Sequence, residues 1–166
     1  MNGGGGRRRV HLLERAQRLE LPVERAFEFF GQARNLEAIT PQWLGFTLIS
    51  PEPIEMRAGT LIDYRLKLHG VPVRWRTRIE AWEPPLRFVD VQLRGPYRLW
   101  EHTHTFEPDG EHAVVIGDRV RYALPFGPLG RIAHALLVRR DLQRIFDYRA
   151  QAVANRLERG SSPAPR

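Results

Sequence analysis

"LIDYRLKLHGVPVRWRTRI" (61–79) is two alternating segments joined by His69-Gly70. Side chains on a strand alternate between faces, and a two-residue link containing Gly suits a tight hairpin. Closing the hairpin there opposes Leu68 to Val71, Leu66 to Val73, Tyr64 to Trp75 and Ile62 to Thr77. The other face receives Asp63, Arg65, Lys67, Arg74, Arg76 and Arg78. One side is apolar and the other charged, which fixes the register and makes this an antiparallel sheet with one buried face.

Outward from the hairpin, further strands follow between turn signals: "LRFVDVQLR" (86–94) after Pro84-Pro85, "YRLWEHTHTFE" (97–107) after Gly95-Pro96, and "HAVVIGDRVRYAL" (112–124) after Asp109-Gly110. "GFTLIS" (45–50) precedes the hairpin, and "VHLLERAQRLELP" (10–22) suits a first strand. Between them lie two short helices. "PVERAFEFFG" (22–31) carries Val23, Ala26, Phe27 and Phe30 at helical spacing, and "QARNLEAIT" (32–40) stops at Pro41. From Pro128 to Leu157 a single stripe of Leu129, Ile132, Leu136, Leu142, Ile145, Phe146, Val153 and Leu157 predicts one long amphipathic helix. The expected fold class is α+β: a seven-stranded curved antiparallel sheet wrapped around that helix.

Bulk composition narrows the function. The chain has 166 residues, no cysteine and a net charge of +7. The absence of cysteine excludes disulfides and thiolate chemistry. Arg7, Arg8 and Arg9 in a Gly-rich arm, with Arg159 and Arg166 in the tail, account for five of the seven charges. A folded basic patch with a readable motif is therefore missing, and no nucleic-acid partner is expected. No apolar run reaches the about 20 residues of a membrane span, and no signal segment opens the chain, so a cytoplasmic protein is expected. The expected organisation is a disordered arm (1–9), one domain (10–158) and a flexible tail (159–166).

The same hairpin arithmetic places the remaining strands. Closing 86–94 on 97–107 at Gly95-Pro96 opposes Val91 to Trp100 and Val89 to His102, with Asp90, Gln92, Glu101 and Thr103 outside. A three-residue loop, 109–111, then opposes Phe106 to Val114, His104 to Ile116, His102 to Asp118 and Trp100 to Val120. The inner face accordingly collects Tyr64, Trp75, Trp100, His102, His104, Asp118 and Tyr122. So many polar tips require either mutual partners or a cavity that holds a ligand. His102 and Asp118 are the candidate catalytic pair, an imidazole oriented by a carboxylate. His102-x-His104 is also a spacing used by metal sites, but no third inward ligand close to both appears, so no metal is expected.

The order of elements resembles the helix-grip fold of the SRPBCC (START-like) superfamily, which includes lipid-transfer domains and polyketide cyclase/dehydrase proteins. The resemblance is carried by "LPVERAFEFFGQARNLEAITPQWLGF" (21–46), "GPYRLWEHTHTFEP" (95–108), "DRVRYALPFGPLG" (118–130) and "RRDLQRIFDYR" (139–149). It implies a lipophilic or aromatic small molecule held between sheet and helix, entering near Trp43–Phe46 and Pro125–Pro128. Trp75, Trp100, Leu136 and Phe146 would wall that space, with Tyr64, His102, His104, Asp118 and Tyr122 holding polar groups. No cofactor is implied, and peripheral membrane contact is not favoured. Binding, with transport as one use, is the first reading. A cyclase or dehydratase using His102 and Asp118 is the second, and a partner-binding or stress-related module the third.

Overall fold

The computed structural model describes residues 9–125, 127, 132 and 137–159. The strands are β1 (His11–Leu19), β2 (Thr47–Leu48), β3 (Leu61–Leu68), β4 (Val71–Glu83), β5 (Arg87–Arg94), β6 (Leu99–Pro108) and β7 (Val114–Ala123). They form one antiparallel sheet in the order β1-β7-β6-β5-β4-β3-β2. Two short helices, α1 (Val23–Phe30) and α2 (Asn35–Ala38), follow β1, and α3 (Arg139–Arg159) ends the described chain. At 1.5 Å per residue, the 21 residues of α3 span about 31 Å. Most of the 128–138 part of the expected long helix, Leu136 included, lies outside the described residues.

The β3–β4 hairpin has the register read from its sequence, with Leu68 opposite Val71 and Tyr64 opposite Trp75. His69 and Gly70 both have positive φ, 50° and 82°, the backbone of a primed turn whose twist matches the strands it joins. His69 Nε2 also meets Asp141 Oδ2 at 2.6 Å, tying the turn to the first turn of α3. Register shifts between β4 and β5, at Arg76/Thr77 and Ile79/Ala81, mark bulges that bend the sheet around the helix.

Two expected registers are corrected. Between β5 and β6 the ladder is one residue off, pairing Asp90 with His102, Phe88 with His104, and Val91 with Glu101. Asp90 and Gln92 thus share the inner face, and Val89 and Val91 the outer. The reason lies in burial and in the loop. Phe88 is buried in the core while Leu93 stays 50% exposed, and the Gln92 side chain clamps the turn by accepting from Tyr97 N and donating to Tyr97 O. Between β6 and β7 the ladder is two residues off, pairing Phe106 with Ile116, His104 with Asp118 and His102 with Val120. A longer loop, closed by Asp109 N donating to Ala113 O, absorbs the difference. A shift of two preserves the faces.

The inner face is filled by two apolar clusters. One gathers Leu19, Leu21, Val23, Ala26, Phe27, Phe88, Phe106, Val114, Ile116, Val153 and Leu157. The other gathers Leu13, Val120, Tyr122, Leu142 and Phe146, with Tyr97 and Trp100 against it. Phe106 is fully buried, a contribution of about 1.5–3 kcal/mol from that ring alone. On β6 the inward residues run Trp100, His102, His104, Phe106. The imidazoles therefore fall at the seam between the clusters.

Candidate functional site

At that seam, four side chains alternate in a closed ring. β6 supplies His102 and His104, 3% and 2% exposed, with ring centroids 3.8 Å apart. β5 supplies Asp90 and β7 supplies Asp118, on either side of them. His102 Nε2 donates to Asp118 Oδ1 at 2.8 Å, and His104 Nε2 donates to Asp90 Oδ2 at 3.2 Å. The remaining ring nitrogens close the circle, His102 Nδ1 at 3.6 Å from Asp90 Oδ2 and His104 Nδ1 at 3.1 Å from Asp118 Oδ1. The last contact is close but off-axis, and His104 Nδ1 makes no hydrogen bond among the described residues.

The environment treats the two imidazoles differently. Burial lowers the pKa of His102, the charge on His104 adds to that, and Asp118 and Asp90 recover only part. Burial also pulls His104 down, but there Asp118 and Asp90 prevail and its pKa is raised. Burial pushes both carboxyls up. The two imidazoles outweigh it, holding Asp90 below and Asp118 well below the ordinary value. Of the two imidazoles, His104 is the one whose charged form this setting favours. Arg149 on α3 supplies the nearby countercharge, acting on Asp90 across the interior.

Arg149 stands over the rings of Phe30, at 5.8 Å, and Phe146, at 6.0 Å. Its Nε is buried and lacks a hydrogen-bond partner among the described residues. It lines two partly enclosed hollows. The first offers about 70 Å³ for the centres of water-sized molecules and is walled by Phe30, Ile62, Ile79 and Phe88, with Tyr64, Thr77, Asp90, His104 and Arg149 as polar points. The second offers about 50 Å³ and includes Phe30, Asp118, Phe146 and Arg149. Phe30 and Arg149 line both. A wider hollow of about 420 Å³ outside shares Gln32 and Ala33 with the first cavity.

The residues anticipated from sequence do not all meet at one place. Tyr64, His104 and Asp118 reach a cavity, and Phe146 walls the second one. His102 is held behind His104, with its ring 5.5 Å from that of Phe146. Trp75 and Trp100 pack edge-to-face at 5.3 Å as core, and Trp75 Nε1 donates to Thr77 Oγ1 at 3.1 Å. Tyr122 lies apart from both cavities, stacked on His11 at 5.4 Å beside a different hollow. Leu136 lies outside the described residues. Trp43, 53% exposed, packs on Tyr148 of α3.

Asp90, Arg149, Thr77 and Phe30 were not anticipated. The signal for Asp90 was Phe88 two residues earlier, a large apolar side chain that carries its whole face inward. Arg149 occupies the inward stripe of α3 between Phe146 and Val153, where a charged residue reads as an interruption.

No family model and no curated protein matches the chain. Solved structures do. The Zhui aromatase/cyclase from Streptomyces is similar with a TM-score of 0.73 at 12% identity, covering 91% of this chain and 95% of that one. Norcoclaurine synthase from Thalictrum flavum, in complex with dopamine and hydroxybenzaldehyde, is similar at 0.68 and 13%, covering 98% and 97%. A protein from Thermus thermophilus is similar at 0.67 and 20%, covering 92% and 100%. The chain has the helix-grip fold, and the resemblance to the SRPBCC superfamily read from its sequence holds at the level of fold. No helix among the described residues is long and apolar enough to cross a membrane.

Proposed function

We propose that this protein binds a lipophilic or aromatic small molecule bearing oxygen substituents between the sheet and α3. The observation that carries the reading is the cavity against Asp90 and His104. Its walls are apolar, and its polar atoms converge from β3, β4, β5, β6 and α3. Sites for small organic ligands are built in this way, with a few placed polar groups in an apolar hollow. The two cavities are individually too small for an aromatic ligand, since a dry cavity that takes benzene measures about 150 Å³. Displacing Phe30 and Arg149 merges them. Arg149 Nε gives up no hydrogen bond in moving, and the guanidinium is suited to an incoming carboxylate or phenolate. An aromatase/cyclase and a synthase holding dopamine and hydroxybenzaldehyde share the fold, which supports the reading without assigning a substrate here.

Native mass spectrometry of freshly purified protein, followed by 2-naphthol and 2-naphthoate titrations read by tryptophan fluorescence, tests this. A co-purifying small molecule, or saturable 1:1 binding, is expected. An empty protein that binds neither probe at millimolar concentration overturns it.

A second reading, acid–base catalysis of cyclisation or dehydration, is favoured by one observation: His104 and Asp90 face the cavity, hydrogen-bonded to each other. In that reading His104, with Asp90, takes the role first given to His102 and Asp118. Turnover that disappears in His104→Gln while probe binding persists is its signature.

A further inference from the structure

The corrected register puts a third ligand where the sequence reading found none. We propose that Asp90, His102 and His104 form a binding site for a first-row divalent transition metal, zinc being the ion their chemistry suits best, with Asp118 orienting both imidazoles. The donor atoms of the three residues lie within 4.8 Å of one another. A tetrahedral ion with bonds of about 2.1 Å requires its ligands about 3.4 Å apart. The two separations to Asp90 Oδ2 bracket that value, 3.2 Å from His104 Nε2 and 3.6 Å from His102 Nδ1. Those two contacts need to change by only a few tenths of an ångström, and the two imidazole donors, at most 4.8 Å apart, close toward the ion between them.

The far side of each ring supports the same assignment. His102 Nε2 is 2.8 Å and His104 Nδ1 3.1 Å from one atom, Asp118 Oδ1. Metal-bound imidazoles regularly donate their other N–H to a carboxylate, which fixes the tautomer and ring angle. The off-axis contact of His104 Nδ1 becomes a proper hydrogen bond after a small rotation of the ring toward an ion at Nε2. Binding displaces the proton from His104 Nε2, and the ion's two positive charges offset the two carboxylates. Two imidazoles and one carboxylate without a thiolate favour zinc, cobalt or nickel over magnesium or calcium. Asp90 and His104 line the cavity, so the fourth position opens to water or to a ligand oxygen.

The test uses the full chain, free of any added histidine tag and dialysed against chelator, titrated with Co²⁺. The expected result is a 1:1 complex with the visible ligand-field bands of four-coordinate cobalt. Asp90→Asn and His104→Ala should each weaken it at least about 100-fold, and Asp118→Asn about 10–100-fold. His69→Ala, remote from the site, should leave it unchanged. Far-UV circular dichroism in chelator establishes that each variant folds. Should one fail to fold, long-range ¹⁵N–¹H NMR of the wild-type chain with Zn²⁺ decides, the expected metal-bonded nitrogens being His102 Nδ1 and His104 Nε2. Absence of 1:1 uptake, uptake indifferent to His104→Ala, or metal-bonded nitrogens on other histidines overturns the proposal. The naphthol and naphthoate titrations are run in chelator, so a failure of metal binding and a failure of small-molecule binding register separately.

Discussion

Asp118 lies directly across the ladder from His104, yet its shorter contact, 2.8 Å against 3.1 Å, goes to His102 one step along the same face. One carboxylate thus serves two imidazoles, and removing it leaves both buried rings to Asp90 alone. Asp118→Ala should cost about 3–5 kcal/mol, the range for breaking one partner of a buried pair. Asp118→Asn should cost less, because its amide oxygen still accepts from His102 Nε2. Urea unfolding of the chelator-treated variants measures both, and an Asp118→Ala loss under about 1 kcal/mol contradicts this account.

Arg149 is placed to receive an acidic ligand group. Arg149→Met keeps the hydrocarbon packing against Phe30 and Phe146 and removes the donors. The affinity for 2-naphthoate should fall by about tenfold or more, the worth of one charge-assisted hydrogen bond. That for 2-naphthol should fall less. Equal losses for the two probes would show that the guanidinium does not distinguish them.

Phe30 should behave as a door between the cavities. Phe30→Ala should lower stability by about 2 kcal/mol, less than a full core truncation because the ring is only partly buried. The same change should speed 2-naphthol association in stopped-flow fluorescence. Slower association with unchanged affinity contradicts the merging of the two hollows.

Tyrosine titration reads the interior from the alkaline side. Burial, with Asp90 contributing, raises the Tyr64 hydroxyl above its ordinary value of 10.0. Above that pH the unfolded chain releases a proton the folded chain retains, so stability falls as pH rises, and below it the group has no effect. The loss is about 1.4 kcal/mol per pH unit for one such group. Between about pH 9 and pH 11, wild-type protein should therefore lose about 1.4 kcal/mol more than Tyr64→Phe in urea unfolding. Any constant cost of losing the Tyr64 contact to Thr77 cancels in that difference.

The hairpin turn offers a simple backbone test. Gly70 has a φ of 82°, and a side chain there would meet nothing within 4 Å. Gly70→Ala should destabilise by about 1 kcal/mol through conformation alone, measured by thermal melting.

The fold was legible where local chemistry and face pattern agreed. His69-Gly70 fixes a turn, and the strands around it carry apolar residues on one face only. Register failed where both faces offer apolar candidates. Val89, Val91 and Leu93 alternate with Phe88, Asp90 and Gln92, and alternation alone cannot say which set is inside. The burial of Phe88 against α1 and the Gln92 clamp on Tyr97 decide it, and both are tertiary facts. The β6–β7 error, being two residues, moved no side chain to the wrong face. His102, His104 and Asp118 therefore survived as an inner group, with His102 still bonded to Asp118, while their positions across the ladder and the partner Asp90 did not. Arg149 was hidden for a different reason, since a helical stripe identifies a buried face by its apolar residues and passes over the exception.

The seam also bears on how the chain finds one alignment among near neighbours. Apolar strands tolerate sliding by two positions, because oil meets oil either way. Here a slide of β6 in one direction would set Trp100 opposite Asp90 or Phe106 opposite Asp118, and a slide in the other would leave one imidazole opposite Gln92 or Ile116. The four polar side chains thus act as a key cut into the sheet, rejecting the misthreaded pairings that its greasy surroundings would otherwise accept.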